Sequence, residues 1–185
     1  MTQAQLTVLA GPTAVGKGTV VAALTRRYPQ LRVSVSATTR APRPGEKEGV
    51  HYFFVSPQEF DDMIERGDML EWALVHGTNK YGTPRGPVDE SLNAGVPVLL
   101  EIDLDGARQV RATRPDACFI FLAPPSWEEL ERRLIGRGTE GPEERERRLR
   151  TARIEMEAAS EFDHVVINDD VDRAVNELAG LIGLE

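Results

Sequence analysis

Apolar residues in this chain fall mainly in short unbroken runs rather than in strict alternation, and stretches with helical spacing separate the runs. Leu6–Leu9, Val96–Ile102, Cys118–Leu122 and Val165–Ile167 read as buried strands, with Leu31–Val35 a further candidate. Continuous apolar strands alternating with helices predict an α/β fold with a parallel sheet covered on both faces. Helices are expected near Lys17, after Asp105, after Ser126 and from about Val171 onward. Two starts carry the capping-box pairing of a hydroxyl with a glutamate three residues on: Ser56 with Glu59, and Ser126 with Glu129. Pro57 suits the first helical position of one of them, and Gly67 its end.

The alternation breaks twice. Residues 37–88 hold strand-like His51–Val55 and Met69–Val75 among proline and glycine loops, which reads as a small mixed β insertion. Residues 127–159 are dense in charge, with Arg132, Arg133, Arg137, Arg145, Arg147, Arg148, Arg150 and Arg153. A helical arginine-rich flap is expected there. Some of its arginines would pair with Glu143, Glu144 and Glu146 while a few face phosphates.

Bulk properties narrow the function classes. A chain of 185 residues suits one domain with a full core. The net charge is 22 − 30 = −8, which argues against a broad nucleic-acid surface, so an anionic ligand must be met by locally clustered cations. No apolar run approaches the ~20 residues of a membrane helix, and the first residues lack a basic start with an apolar core. A single cysteine, Cys118, excludes an internal disulfide framework and reads as core packing. His51, His76 and His164 lack zinc-ligand spacing. These features point to the cytoplasm, with neither membrane nor nucleic acid as partner.

The strongest chemical signal follows the first apolar run: Gly11-Pro12-Thr13-Ala14-Val15-Gly16-Lys17-Gly18-Thr19. The spacing Gly-x-x-x-x-Gly-Lys is that of a phosphate-binding loop. Its glycines let successive N–H groups aim at one point, a following helix adds its positive dipole end, and Lys17 adds a full charge. A bare strand-turn-helix has no need of a lysine at that offset. The residue after the lysine is Gly18 rather than a hydroxyl, with Thr19 one place later, so Mg²⁺ is expected to be held mainly by phosphate oxygens and water. Thr19 and Glu101 remain candidates beside it.

A second anion clamp opens the insertion. In Thr39-Arg40-Ala41-Pro42-Arg43-Pro44, two arginines three apart are stiffened by prolines, and guanidinium forks grip phosphate in bidentate fashion. Tyr52 and Tyr81 could add hydroxyls. An ordinary exposed arginine loop is the bland alternative.

Taken together, Ser36-Ala37-Thr38-Thr39-Arg40-Ala41-Pro42-Arg43, Glu71-Trp72-Ala73, Tyr81-Gly82-Thr83, Glu101-Ile102-Asp103-Leu104-Asp105-Gly106-Ala107 and Gly136-Arg137-Gly138-Thr139-Glu140 resemble the guanylate kinase family in order and spacing over nearly the whole chain. The resemblance implies a three-layer P-loop NTPase core (1–36, 89–126 and 160–185), a mixed-β GMP-binding subdomain (37–88) and a lid (127–159). It implies transfer of the ATP γ-phosphoryl to GMP, and to dGMP, with Mg²⁺. By matching position, Arg40, Arg43, Tyr52 and Tyr81 would hold the GMP phosphate, and Ser36, Glu71, Thr83 and Asp103 would face guanine. Gly11 to Thr19 with Asn168 would hold ATP, and Lys17, Arg133, Arg137 and Arg148 would close on the phosphates.

The residue chemistry agrees. Guanine offers N1–H and the N2 amino group as donors, which carboxylates such as Glu71 and Asp103 can accept. Adenine presents a bare N1 acceptor there, and a site whose buried acceptors go unpaired can discriminate by ~10⁴. Asp103 also has a second reading, as an acid after an apolar strand that organises Mg²⁺; the guanine role is favoured, with Glu101 left as an indirect metal partner. Two rivals differ in class: a non-catalytic guanylate-kinase-like protein-binding module, against which Lys17 and the lid arginines weigh, and a kinase for another small phosphate acceptor, against which Glu71 and Asp103 weigh.

Overall fold

The computed structural model describes residues 4–136 and 140–185. Five strands form one parallel sheet: β1 (Leu6–Ala10), β2 (Arg32–Val33), β7 (Val98–Glu101), β8 (Cys118–Ala123) and β9 (His164–Ile167), in the order β2-β7-β1-β8-β9. Successive side chains of a strand point to opposite faces. Leu9, Leu99 and Ile120 therefore join one core, with helices α1 (Lys17–Arg27) and α7 (Val171–Ile182) packed on it through Val20, Leu24, Val175 and Leu178. Val8, Leu100 and Phe119 face the other core, covered by Val88 and Leu92 of α3 (Arg85–Asn93) and by Ala107 and Val110 of α4 (Leu104–Thr113). Burial on both faces explains the unbroken apolar runs.

The edge strands depart from the expectation. The unbroken run Val165–Ile167 predicts a buried strand, yet Val165 and Ile167 are 47% and 50% exposed, and Val166 alone is fully buried. As the last strand of the sheet, β9 is covered on the α7 side only. The Leu31–Val35 candidate contracts to Arg32–Val33 at the opposite edge, where these two residues pair with Val98 and Leu99 of β7 and the Ser34 N–H adds one bond to the Leu99 carbonyl.

The insertion forms a second sheet, ordered β4-β3-β6-β5, from β3 (Ala37–Thr38), β4 (Phe53–Phe54), β5 (Met69–Val75) and β6 (Asn79–Pro84), with α2 (Pro57–Glu65) packed against it through Phe60. Its mixed character matches the sequence reading: β3 and β4 are parallel, the other pairings antiparallel. Strand β6 and helix α3 have no counterpart in that reading. Glycine and proline at 82, 84, 86 and 87 hide both, and β6 is recruited by pairing with β5 across a turn whose His76 and Gly77 have φ of 53° and 68°.

Both capping predictions can be checked. At Ser56 the box is complete, and Pro57 occupies the first turn. At Ser126 only half forms: Ser126 Oγ accepts the Glu129 N–H at 3.1 Å, but the Glu129 carboxylate turns to Arg132 and Arg133. Arginines three and four residues on compete for it. These residues lie in α5 (Trp127–Ile135), which pairs with α6 (Pro142–Glu157) through Leu130, Leu134 and Ala152. Cys118 is buried as expected, and burial pushes its thiol up.

Candidate active site

Strands β1, β7 and β9 all end on the same side of the sheet, so Gly11, Glu101 and Asn168 emerge together there, where open parallel sheets place their ligands. The loop leaving β1 is shaped by two left-handed residues, Ala14 (φ 69°) and Gly16 (φ 98°), before α1 begins at Lys17. A Cβ on Gly11 would lie 2.4 Å from the Leu122 carbonyl oxygen, so the loop passes hard against β8. A Cβ on Gly18 would meet nothing within 4 Å. Lys17 Nζ donates to Gly11 O at 2.9 Å, folding the ammonium back over the loop.

The loop is braced from two directions. Buried Asn168 donates from Nδ2 to Val15 O at 2.8 Å, and Arg133 Nη1 donates to the same oxygen at 3.1 Å. Arg133 thus stands at the loop, whereas Arg148 is exposed and engaged by Glu140 at 2.5 Å and Glu144 at 3.6 Å. Arg137 lies outside the described residues. Thr13 and Thr19 are exposed, with Thr19 in the first turn of α1.

On the other side of the cleft, Arg40 is the best-held cation. Its Nε donates to Tyr81 Oη at 3.1 Å, and its Nη1 and Nη2 donate to the two Glu46 oxygens at 2.8 and 3.0 Å. The guanidinium also lies over the Tyr52 ring, 5.2 Å from its centroid, and the Tyr52 and Tyr81 rings meet edge to face. Glu46 accepts the Arg43 N–H as well, at 2.7 Å, which closes the proline-stiffened loop into a ring. The Arg40 bonds, and then the Arg43 N–H, hold the Glu46 carboxyl down at about 2. Sequence reading passed over Glu46; its signal is a carboxylate three residues after Arg43 in the proline-stiffened loop. The Arg43 side chain is exposed.

Below the clamp is an open cavity of about 420 Å³, lined among others by Ser36, Tyr52, Glu71, Tyr81, Glu101 and Asp103. Its size is in the range of small-molecule pockets. Glu71, Ala73 and Val75 alternate along β5, so their side chains share the cavity face while Trp72 turns back to Phe60. Buried Thr83 donates to Glu71 Oε1 at 2.7 Å. Burial pushes the Glu71 carboxyl up; the Thr83 hydrogen bond opposes this, and nearby Asp103 adds to it. Asp103 caps α4 by backbone position, and among the described residues its carboxylate bonds to no N–H of that helix, which leaves it directed at the cleft.

Glu101 is also raised by desolvation, with the Lys17 charge acting against that and Asp103 with it. Across the cleft, α6 brings in Glu155, which sequence reading also missed. Glu155 lines a neighbouring cavity with Thr13, Asp103 and Arg108, and its Oε1 is buried without a partner among the described residues. Desolvation raises its carboxyl, and Lys17 opposes the shift.

A family model described as guanylate kinase matches residues 3–185. The chain belongs to the guanylate kinase family. Among curated relatives, guanylate kinase of Thermobifida fusca is 60% identical over 178 residues, covering 96% of this chain and 90% of that protein. The guanylate kinase of Cutibacterium acnes is 58% identical over 177 residues, covering 96% and 89%. The crystal structure of guanylate kinase from Anaplasma phagocytophilum superposes with a TM-score of 0.73 at 32% identity, covering 99% of this chain and 86% of that one. A shikimate kinase from Bacteroides thetaiotaomicron, at 14% identity and TM-score 0.51, shares the fold alone. Among the described residues no helix is long and apolar enough to cross a membrane.

Proposed function

We propose that this protein transfers the γ-phosphoryl of ATP to GMP, and to dGMP, giving ADP and GDP. The observation that carries the reading is one cavity whose lining joins four carboxylates, Glu71 and Asp103 among them, at one end to Tyr52 and Tyr81 at the other, and those two side chains hold the Arg40 clamp. The clamp suits a monophosphate, and the acids accept the N1–H and N2 donors of guanine. Ser36 and Thr83 complete that end, with Thr83 acting through Glu71. Arg43 joins Arg40 on the phosphate.

The phosphate loop from Gly11 to Thr19 binds the ATP phosphates, with Asn168 on its adenine side. Lys17 leaves the Gly11 carbonyl and turns its ammonium onto the phosphates. Arg133 already reaches the loop, and Arg137 and Arg148 follow when the helical pair closes, Arg148 giving up its glutamates. The task of these groups is to cancel the repulsion of two polyanions, hold them in line and exclude water. The acceptor oxygen of GMP is already ionised, so no protein base is required.

The donors present suit Mg²⁺. Among the described residues no three carboxylate, imidazole or thiol groups cluster as a cage, while Thr19 and Glu101 stand beside the loop. Such a site fits an ion that keeps much of its water and takes phosphate oxygens. When bound, Mg²⁺ would neutralise phosphate charge.

A coupled ADP-release assay across GMP, dGMP, AMP, UMP and CMP tests the reading. Turnover confined to the guanine nucleotides is expected. Equal turnover with AMP would refute the guanine assignment.

A further inference from the structure

Glu71 and Asp103, two of the four carboxylates that line the cavity, belong to different parts of the molecule. Asp103 stands at the head of α4, on the core sheet, while Glu71 is on β5, the edge strand of the second sheet. Their separation depends on how β5 docks on α4. Leu70 of β5 packs with Ala107 and Val110 of α4, and one side chain adds the polar bonds of that joint. Gln109 Oε1 accepts the Trp72 N–H at 3.0 Å, and Gln109 Nε2 donates to the Trp72 carbonyl at 2.9 Å.

A carboxamide carries one donor and one acceptor in the plane a neighbouring strand would use, so Gln109 completes the free edge of β5 at the residue next to Glu71. Gly106 lies three residues earlier, on the same face of α4. A Cβ there would lie 3.0 Å from Glu71 Oε2, so Gly106 leaves room for the carboxylate where Gln109 holds the backbone.

We infer that Gln109 is a positioning residue for guanine selection: its two hydrogen bonds to Trp72 set the distance between Glu71 and Asp103. The inference rests on the proposed guanine reading of the cavity. Detached from Gln109, β5 can shift, and both acids no longer meet N1–H and N2 together. Binding of the base suffers, while the phosphate loop across the cleft is untouched.

The test is Q109L, which keeps the bulk and helix propensity while removing both bonds. GMP and IMP, which lacks the N2 amino group, are compared as acceptors in the full-length protein, with ATP kinetics and Tm recorded. We expect KM for GMP to rise about tenfold and the GMP-over-IMP preference to fall severalfold, with KM for ATP and Tm nearly unchanged. An unchanged GMP-over-IMP ratio, or equal rises in both KM values, overturns the inference. If Q109L does not fold, Q109M carries the same comparison. Failure of the wild-type protein to phosphorylate GMP would defeat the proposed function instead; normal wild-type preference preserved in the variant defeats this inference alone.

Discussion

A single run of residues, Gly11 to Thr19, supplies the phosphate loop, whereas the cavity beneath Arg40 gathers Ser36, Glu71, Tyr81 and Asp103 from four separate places in the chain. The loop is shaped by its own glycines and by the helix it starts, and tertiary contacts only brace it, through Asn168 and Arg133 to one carbonyl. The cavity has no such local frame. Its groups are held mainly by side chains from other elements, Thr83 on Glu71, Gln109 on Trp72 and Tyr81 on Arg40, with Glu46 of the same loop also on Arg40. A locally encoded site fails when one of its own residues changes; a gathered site fails also through its supports.

The largest effect expected from this contrast is at Lys17. Lys17→Ala should cut turnover on the order of 10³-fold by ADP release while Tm is retained, since among the described residues the ammonium bonds only to its own loop. Near-normal turnover would sink the mechanism.

On the cavity side, Glu71→Gln replaces one acceptor oxygen with a donor amide at the edge proposed to meet guanine. Its kcat/KM for GMP should fall about 10²-fold, with KM for ATP unmoved and AMP gaining relative to GMP. An equal loss with every acceptor would show that Glu71 merely supports the fold.

The backing of the loop is probed by two glycines. Gly11→Ala drives a Cβ against the Leu122 backbone, which cannot swing aside, and should lower unfolding free energy by about 2 kcal/mol in urea titrations. Gly18→Ala meets no protein atom within 4 Å, lies inside a helix and should add about 0.5–1 kcal/mol to unfolding free energy. Equal outcomes for the two would contradict the packing described for the loop.

The smallest effect is a shift in pH dependence. In the proposed guanine contact Glu71 accepts as a carboxylate, so kcat/KM for GMP should fall as pH drops through its raised carboxyl pKa. The Thr83 hydroxyl favours the charged form. Thr83→Val removes that bond, raises the carboxyl further and should move the acid limb to higher pH. A limb that stays in place, or moves down, would show that Glu71 is not the group titrating.

Much of this was legible in the order of residues. The core strands β1, β7 and β8 were readable because both their faces are buried and their runs are unbroken. The phosphate loop and the proline-stiffened arginines were readable because short-range geometry alone gives them meaning. Strand β6 and helix α3 were not, since the local signals at Gly82, Pro84, Gly86 and Pro87 oppose elements that pairing and packing nevertheless impose. Glu46, Gln109 and Glu155 went unread for a related reason: a polar side chain acquires a role only from what it faces, and their partners or neighbours belong to other elements or to turns of the loop.

The sequence by itself determined the family, the α/β architecture and the phosphate loop, because periodicity, glycine spacing and the lysine offset are properties of contiguous chain. Only the tertiary structure decided which of the arginines reach the loop, how Arg40 is neutralised, and how far apart Glu71 and Asp103 stand. Those are distances between segments remote in sequence, and they are set where β5 packs on α4.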